Sequence, residues 1–130
     1  MSDIPKGLII SCKGLYLSKQ EKIFFSQIKP FGFILFSRNF KSKKQVTELI
    51  NQLREFSLNK NLLVFVDQEG GRVQRFKNIE FYKIPPQKKF GDLYLKDKVK
   101  SKKLSYFYAR LLSFELKNVG VDVNCSPLLD

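Results

Sequence analysis

The sequence predicts an α/β fold built on parallel strands. Three observations carry that prediction: short apolar runs recur along the chain, they are continuous rather than alternating, and amphipathic stretches with helix-start signals separate them. The runs are residues 7–11 (GLIIS), 31–36 (FGFILF), 62–66 (LLVFV) and 121–125 (VDVNC). Continuous apolar runs of about 4–8 residues suit strands covered on both faces, as in parallel sheets packed under helices.

The first connection holds Ser18 and Glu21 in the spacing of a capping box, where each side chain satisfies a backbone N–H at a helix start. Ile23, Phe24, Gln27 and Ile28 follow as a partly apolar face, and Pro30 ends the helix. The second connection repeats the spacing with Ser42 and Gln45. Val46, Leu49, Ile50 and Leu53 then recur at i, i+3, i+4 and i+7, one helical stripe. The third connection, residues 67–120, reads as an irregular loop marked by Gly70, Gly71, Pro85 and Pro86, followed by a helix over about 97–119. In that helix Leu104, Phe107, Tyr108, Leu111, Leu112 and Glu115 recur at helical spacing, and Gly120 is a natural stop.

Strict alternation of strand and helix predicts parallel pairing in one sheet. A doubly wound open sheet and a (β/α)8 barrel share that alternation. A full barrel takes about 250 residues, so 130 residues would supply about four βα units, the first half of one. No linker divides residues 1–130, which read as one domain.

Composition narrows the chemistry. With 43% hydrophobic residues and 13 Phe, the chain can build a core. It contains no histidine, which removes from these residues every mechanism that needs an imidazole base, acid or metal ligand. Cys12 and Cys125 lie far apart without metal-binding spacing and read as small, reduced, buried residues; no metal or cofactor is expected. The amino terminus is neither a signal peptide nor a membrane span, so the expectation is a cytoplasmic chain with no membrane partner. Half of the net charge of +12 is local: residues 83–103 carry eight Lys against Asp92 and Asp97. Only five of the 24 basic residues are Arg, so a solvated lysine face is favoured over a nucleic-acid or polyanion surface.

Ligand sites of parallel α/β folds lie at the carboxyl ends of the strands. Asp67 stands there, directly after LLVFV, and Gln68, Glu69, Gly70, Gly71, Arg72, Gln74 and Arg75 follow. A carboxylate that accepts from hydroxyls and a guanidinium fork that donates could fix a polyhydroxylated ligand. The two glycines would permit positive φ and close backbone approach to that ligand. A tight turn stapled by Asp67 or Glu69 to Arg72 or Arg75 accounts equally well for these residues.

Four blocks, GFILFSRNF (32–40), VDQEGGRVQRF (66–76), KIPP (83–86) and VGVDVNCSPLLD (119–130), together resemble the ordered landmarks of glycoside hydrolase family 3 β-N-acetylglucosaminidases. The resemblance implies a TIM-type barrel and removal of non-reducing β-linked N-acetylglucosamine from cell-wall saccharides recycled in the cytoplasm. By position in the motif, it implies that Asp67 and Arg75 are substrate-binding residues. It also implies an aspartate nucleophile and a histidine acid/base beyond residue 130, a departure from the usual carboxylate pair, so no residue of this chain is expected to be catalytic. These 130 residues alone are then expected to be inactive, with the edges of the first and fourth strands open and Phe33, Leu35, Phe65 and Val123 facing a missing wall. A complementary carboxyl-terminal half or a second copy is the expected partner. A non-catalytic carbohydrate-binding or assembly half-barrel is the alternative, and a polyanion-binding α/β module the weaker one.

Overall fold

A computed structural model of the chain describes residues 6–127. Its elements run β1 (Lys6–Ile10), α1 (Lys19–Ile28), β2 (Pro30–Leu35), α2 (Lys43–Phe56), β3 (Leu63–Val66), β4 (Gln68–Gly70), β5 (Val73–Gln74), α3 (Lys88–Lys96), α4 (Lys98–Asn118) and β6 (Val123–Asn124), with a 3-10 turn at Ser37–Asn39. The four apolar runs form one parallel sheet in the order β1-β2-β3-β6, as the alternation predicts.

The helix starts obey their local chemistry unequally. At α1 the Ser18 hydroxyl accepts from Glu21 N while the Glu21 carboxylate accepts from Ser18 N, a complete capping box. At α2 only half of the box forms. Ser42 Oγ accepts from Gln45 N, but the Gln45 amide turns inward, accepting from Lys41 N and donating to the carbonyls of Leu15 and Asn39. Gln45 is 4% exposed, so it ties the loops ahead of α2 together instead of closing its own cap.

Strand register separates the two faces of the sheet. Phe33 pairs with Val64 and Leu35 with Val66, and parallel partners point the same way. These four side chains are fully buried in one cluster with Val46, Leu49, Ile50 and Leu53 of α2, and the Phe25 ring of α1 stands edge-on to Phe33 at 4.7 Å. Phe33 and Leu35 therefore face the helices, not the inner wall expected of them. The inner face carries Gly32, Ile34, Phe65 and Val123 instead, and the last three are only half-buried. Period-two alternation had merged two opposite faces into one. Gly32 belongs to that inner face because a Cβ there would come within 2.6 Å of the Phe65 ring.

The long third connection is more ordered than a loop. It contains the antiparallel β4/β5 hairpin and α3, which buries no residue fully and holds to α4 through the Phe90 and Tyr108 rings, 5.0 Å apart, and the Ser101 hydroxyl donating to Phe90 O. Asp97 ends α3 and caps α4 through Lys100 N. Gly120, at φ 92, follows α4 as expected. The inward side of α4 is set by Ser101, Leu112, Glu115 and Leu116. Leu104, Phe107 and Leu111, expected to be inward, are 43%, 55% and 39% exposed, because they lie along a flank that none of the described residues covers.

β6 is only two residues long because side chains replace its ladder at both ends. Val64 N donates to the Asp122 carboxylate at 2.8 Å, and Gln68 N donates to Asn124 Oδ1 at 2.8 Å. Arg54 holds the same Asp122 oxygen at 2.9 Å. Truncating Asp122→Ala leaves the N–H of fully buried Val64 unpaired, and we expect a loss of about 1–3 kcal/mol in urea unfolding. Asp122→Asn, which keeps an acceptor, should recover most of it.

Candidate sugar site at the carboxyl edge of the sheet

The residues immediately after the strands converge on one edge. Asp67 follows β3, Phe36 follows β2, and Cys125 follows β6. Val66 and Asn124 are register partners and Cys125 N donates to Val66 O at 2.9 Å, so Asp67 and Cys125 stand side by side on the same face. Arg75 reaches back from beyond β5, its Nη2 donating to Asp67 Oδ2 at 2.9 Å. Of the four charged residues that could have paired in this loop, the structure joins Asp67 to Arg75. Both remain partly open, at 22% and 31% side-chain exposure, so the pair can still present polar atoms to a ligand.

Arg75 is held by three things. Its backbone N donates to Gln68 Oε1, its guanidinium lies 5.7 Å from the Phe36 ring centre, and its carboxylate partner fixes the fork. Arg38 flanks the same ring at 4.7 Å while donating to Cys12 O and Ser11 Oγ at the end of β1. Nε of Arg75 is buried with no partner among the described residues. A guanidinium stacked on an aromatic ring keeps its plane fixed and its charge available.

The glycines serve the chain itself. A Cβ on Gly70 would come within 2.4 Å of Ile84 Cγ2 and Pro85 O, and one on Gly71 within 2.7 Å of Pro86 Cβ. Their positive φ values, 102 and 57, let the hairpin turn under the Ile84–Pro86 segment, where Gly71 N donates to Ile84 O at 2.7 Å. The close approach expected for a ligand is made by KIPP. Gln68 and Gln74, at 0% and 4% exposure, are likewise internal: Gln68 Oε1 accepts from the backbone N–H groups of Arg75 and Phe76, and Gln74 bridges Phe76, Tyr82 and Ile84.

Sequence reasoning missed Phe36, Arg38 and Cys125 as parts of this edge. The signal was available for two of them, since Phe36 and Cys125 each close an apolar run at its carboxyl end. Cys12 is buried, as expected, but Cys125 is half-buried beside Asp67. Burial pushes the Cys125 thiol up, and the Asp67 charge and a hydrogen bond from Sγ to its carboxylate push it further. Burial, with help from Glu21, raises Cys12 to about 11.

Residues 16–130 match the glycosyl hydrolase family 3 N-terminal domain. The chain belongs to glycosyl hydrolase family 3. Among curated relatives, it is 39% identical over 123 residues to a β-hexosaminidase of Xylella fastidiosa (strain M23), covering 95% of this chain and 36% of that protein. It is 39% identical over 127 residues to the β-hexosaminidase of Haemophilus ducreyi, covering 95% and 35%. Among solved structures, NagZ from Neisseria gonorrhoeae in complex with N-trifluoroacetyl-D-glucosamine superposes with a TM-score of 0.90 at 31% identity, covering 98% of this chain and 38% of that one. A family 3 β-N-acetylglucosaminidase from Paenibacillus sp. superposes at 0.80, with 28% identity and 94% and 22% coverage. The chain thus spans little more than a third of the curated relatives it matches. Within this family 3 fold the sheet is part of a TIM-type barrel, which resolves the choice between barrel and open sheet, and the barrel is incomplete in these residues.

The contact between Cys125 and Asp67 has a measurable signature. Replacing Asp67→Asn removes the carboxylate charge that raises the thiol, so the thiolate forms at lower pH. Iodoacetamide should therefore modify Cys125 faster in the variant at pH 8, with the pH profile displaced downward, while Cys12 stays unreactive. An unchanged profile would place the thiol away from Asp67.

Proposed function

We propose that Asp67 and Arg75 hold the non-reducing N-acetylglucosamine of a β-linked cell-wall saccharide, as the binding part of a β-N-acetylhexosaminidase. The observation that carries this reading is their ion pair at the carboxyl edge of β3, partly open and braced from behind by buried Gln68. Asp67 accepts from ring hydroxyls, and Arg75 fixes the carboxylate while offering its remaining Nη N–H groups. The wider fold supports the sugar class, since the gonococcal relative is described with an N-acylated glucosamine bound.

Cleavage is a separate matter. Protonating the leaving oxygen and attacking the anomeric carbon require a general acid and a nucleophile on opposite sides of the bond. In this reading both come from barrel units outside these 130 residues, in agreement with a sequence that holds no histidine. The chain alone orients the sugar without hydrolysing it, and residues 1–130 act as the amino-terminal part of one barrel domain. Cell-wall fragments recycled in the cytoplasm are the proposed substrates. The described residues contain no helix long and apolar enough to cross a membrane.

Titration of N-acetylglucosamine into the chain, followed by NMR, tests the reading. At about −0.3 kcal/mol per non-hydrogen atom, a sugar of about fifteen such atoms binds near 1 mM. Wild type should saturate in that range and Asp67→Ala should bind at least about tenfold more weakly, as expected for loss of a charged hydrogen-bond partner. Equal binding by Asp67→Ala would sink the assignment.

A further inference from the structure

The inward side of α4 is set by Ser101, Leu112, Glu115 and Leu116. At about 3.6 residues per turn, Val99, Lys103, Tyr106, Arg110, Phe114 and Lys117 follow one another along the opposite side. Aliphatic or aromatic residues alternate with cations down that stripe. All six are exposed, Val99 at 79%, Tyr106 at 59% and Phe114 at 64%. Phe107, 55% exposed, adjoins the stripe with its ring 5.8 Å from that of Tyr106, and the Arg110 guanidinium stands 5.8 Å from the Tyr106 ring centre. The helix carries one acid, Glu115, turned inward at 4% side-chain exposure and engaged by Lys43. In a (β/α)8 barrel the helices form the outermost layer, so neighbouring βα units flank a helix and leave this outward side uncovered.

We propose that this stripe docks the protein on an anionic lipid surface, with α4 lying in the plane of the head groups. Charge selects the sign of the partner. Lys103, Arg110 and Lys117 on the stripe, joined by Lys98, Lys100 and Lys102 at the start of the helix, have no opposing acid on the exposed surface of α4. Two such helices brought together would oppose like charges, which disfavours a second copy. The apolar residues select a bilayer over a soluble polyanion. A nucleic acid would use the cations and leave Val99 and Phe114 in water, and all but one of the cations are Lys, without the fork that reads bases. A bilayer interface takes both: the rings and Val99 enter the acyl boundary, while the Lys stems lie along it and hold their ammonium groups at the phosphates. The solvated lysine face expected from composition accounts for the cations but not for Val99, Tyr106 and Phe114 exposed in register with them. The contact is peripheral, since no helix of the described residues is long and apolar enough to cross a membrane. It amends the expectation of a chain with no membrane partner and draws on none of the residues of the sugar site.

The chain contains no Trp, so a single introduced Trp reports its own surroundings. Phe114→Trp places the reporter on the stripe, and Phe24→Trp, at a position 52% exposed on α1, is the control. With vesicles of phosphatidylcholine and phosphatidylglycerol in equal parts, the Phe114→Trp emission should shift to the blue while the Phe24→Trp emission stays. With phosphatidylcholine alone neither should move. Co-sedimentation of the chain with the mixed vesicles should weaken at least about tenfold when Val99→Ser and Phe114→Ser are combined. It should weaken about a hundredfold when Lys103→Glu, Arg110→Glu and Lys117→Glu are combined. These positions are all exposed, so the circular dichroism of each variant should match that of the wild type. A Phe114→Trp emission unmoved by the mixed vesicles, an equal shift at Phe24→Trp, or equal binding to phosphatidylcholine alone would overturn the docking. Undiminished co-sedimentation of the Val99→Ser and Phe114→Ser variant, displaced by soluble heparin, would reduce the stripe to a polyanion surface and overturn it as well.

Discussion

The side-chain amide of Gln68 is the constraint on which the site depends. It is fully buried one residue past Asp67, and every polar group it carries is engaged. Its backbone N–H and C=O pair with the Asn124 amide, joining β3 to β6 beyond the end of the ladder. Its side-chain oxygen accepts from Arg75 N and Phe76 N, and its amide donates to Phe76 O. One residue thus fixes both the strand that presents Asp67 and the segment that presents Arg75. Removing that amide would leave buried N–H groups unpaired at about 1–3 kcal/mol each, which is why an exposed-looking polar loop holds one conformation.

Much of the fold was legible because its signals are local and repeated. Continuous apolar runs, the Ser18 and Glu21 box, the α2 stripe and the Gly120 stop each depend on a few neighbouring residues. What was illegible depends on distant partners. The sense of Gly70 and Gly71 comes from Ile84–Pro86, more than ten residues on, so the same glycines read as a ligand cradle until the strap above them is placed. Phe33 and Leu35 alternate correctly along β2, but which face meets helices is decided by Phe25 and α2, not by β2. Helix α3 escaped notice because it is short and starts without a side-chain cap, although Phe90, Leu93 and Tyr94 recur at i, i+3 and i+4.

The candidate site shows the same division. Asp67 and Arg75 were singled out together because they sit in one short motif, and the seven residues between them form the hairpin that folds one onto the other. Phe36, Arg38 and Cys125 were missed because they belong to other βα units and meet only when the sheet assembles. Parallel register is what brings them together: strands that pair residue for residue present their next residues in a row, so the first position past each strand is a site candidate in any such sheet.

Under the proposed function, that geometry lets sugar binding be separated from sugar cleavage in one fold. Asp67, Arg75 and their braces lie between residues 66 and 76, with support from Phe36 and Asn124, so their arrangement is set by contacts made among residues 6–127. Holding a sugar needs only that local rigidity, worth a few kcal/mol. Lowering the barrier to glycosidic cleavage by the about 8–23 kcal/mol typical of enzymes needs a proton donor and a nucleophile fixed on either side of the bond, a geometry that spans a barrel and not one loop. The half-exposed inner face of Ile34, Phe65 and Val123 is apolar surface of the kind that stabilises a fold wherever it is covered.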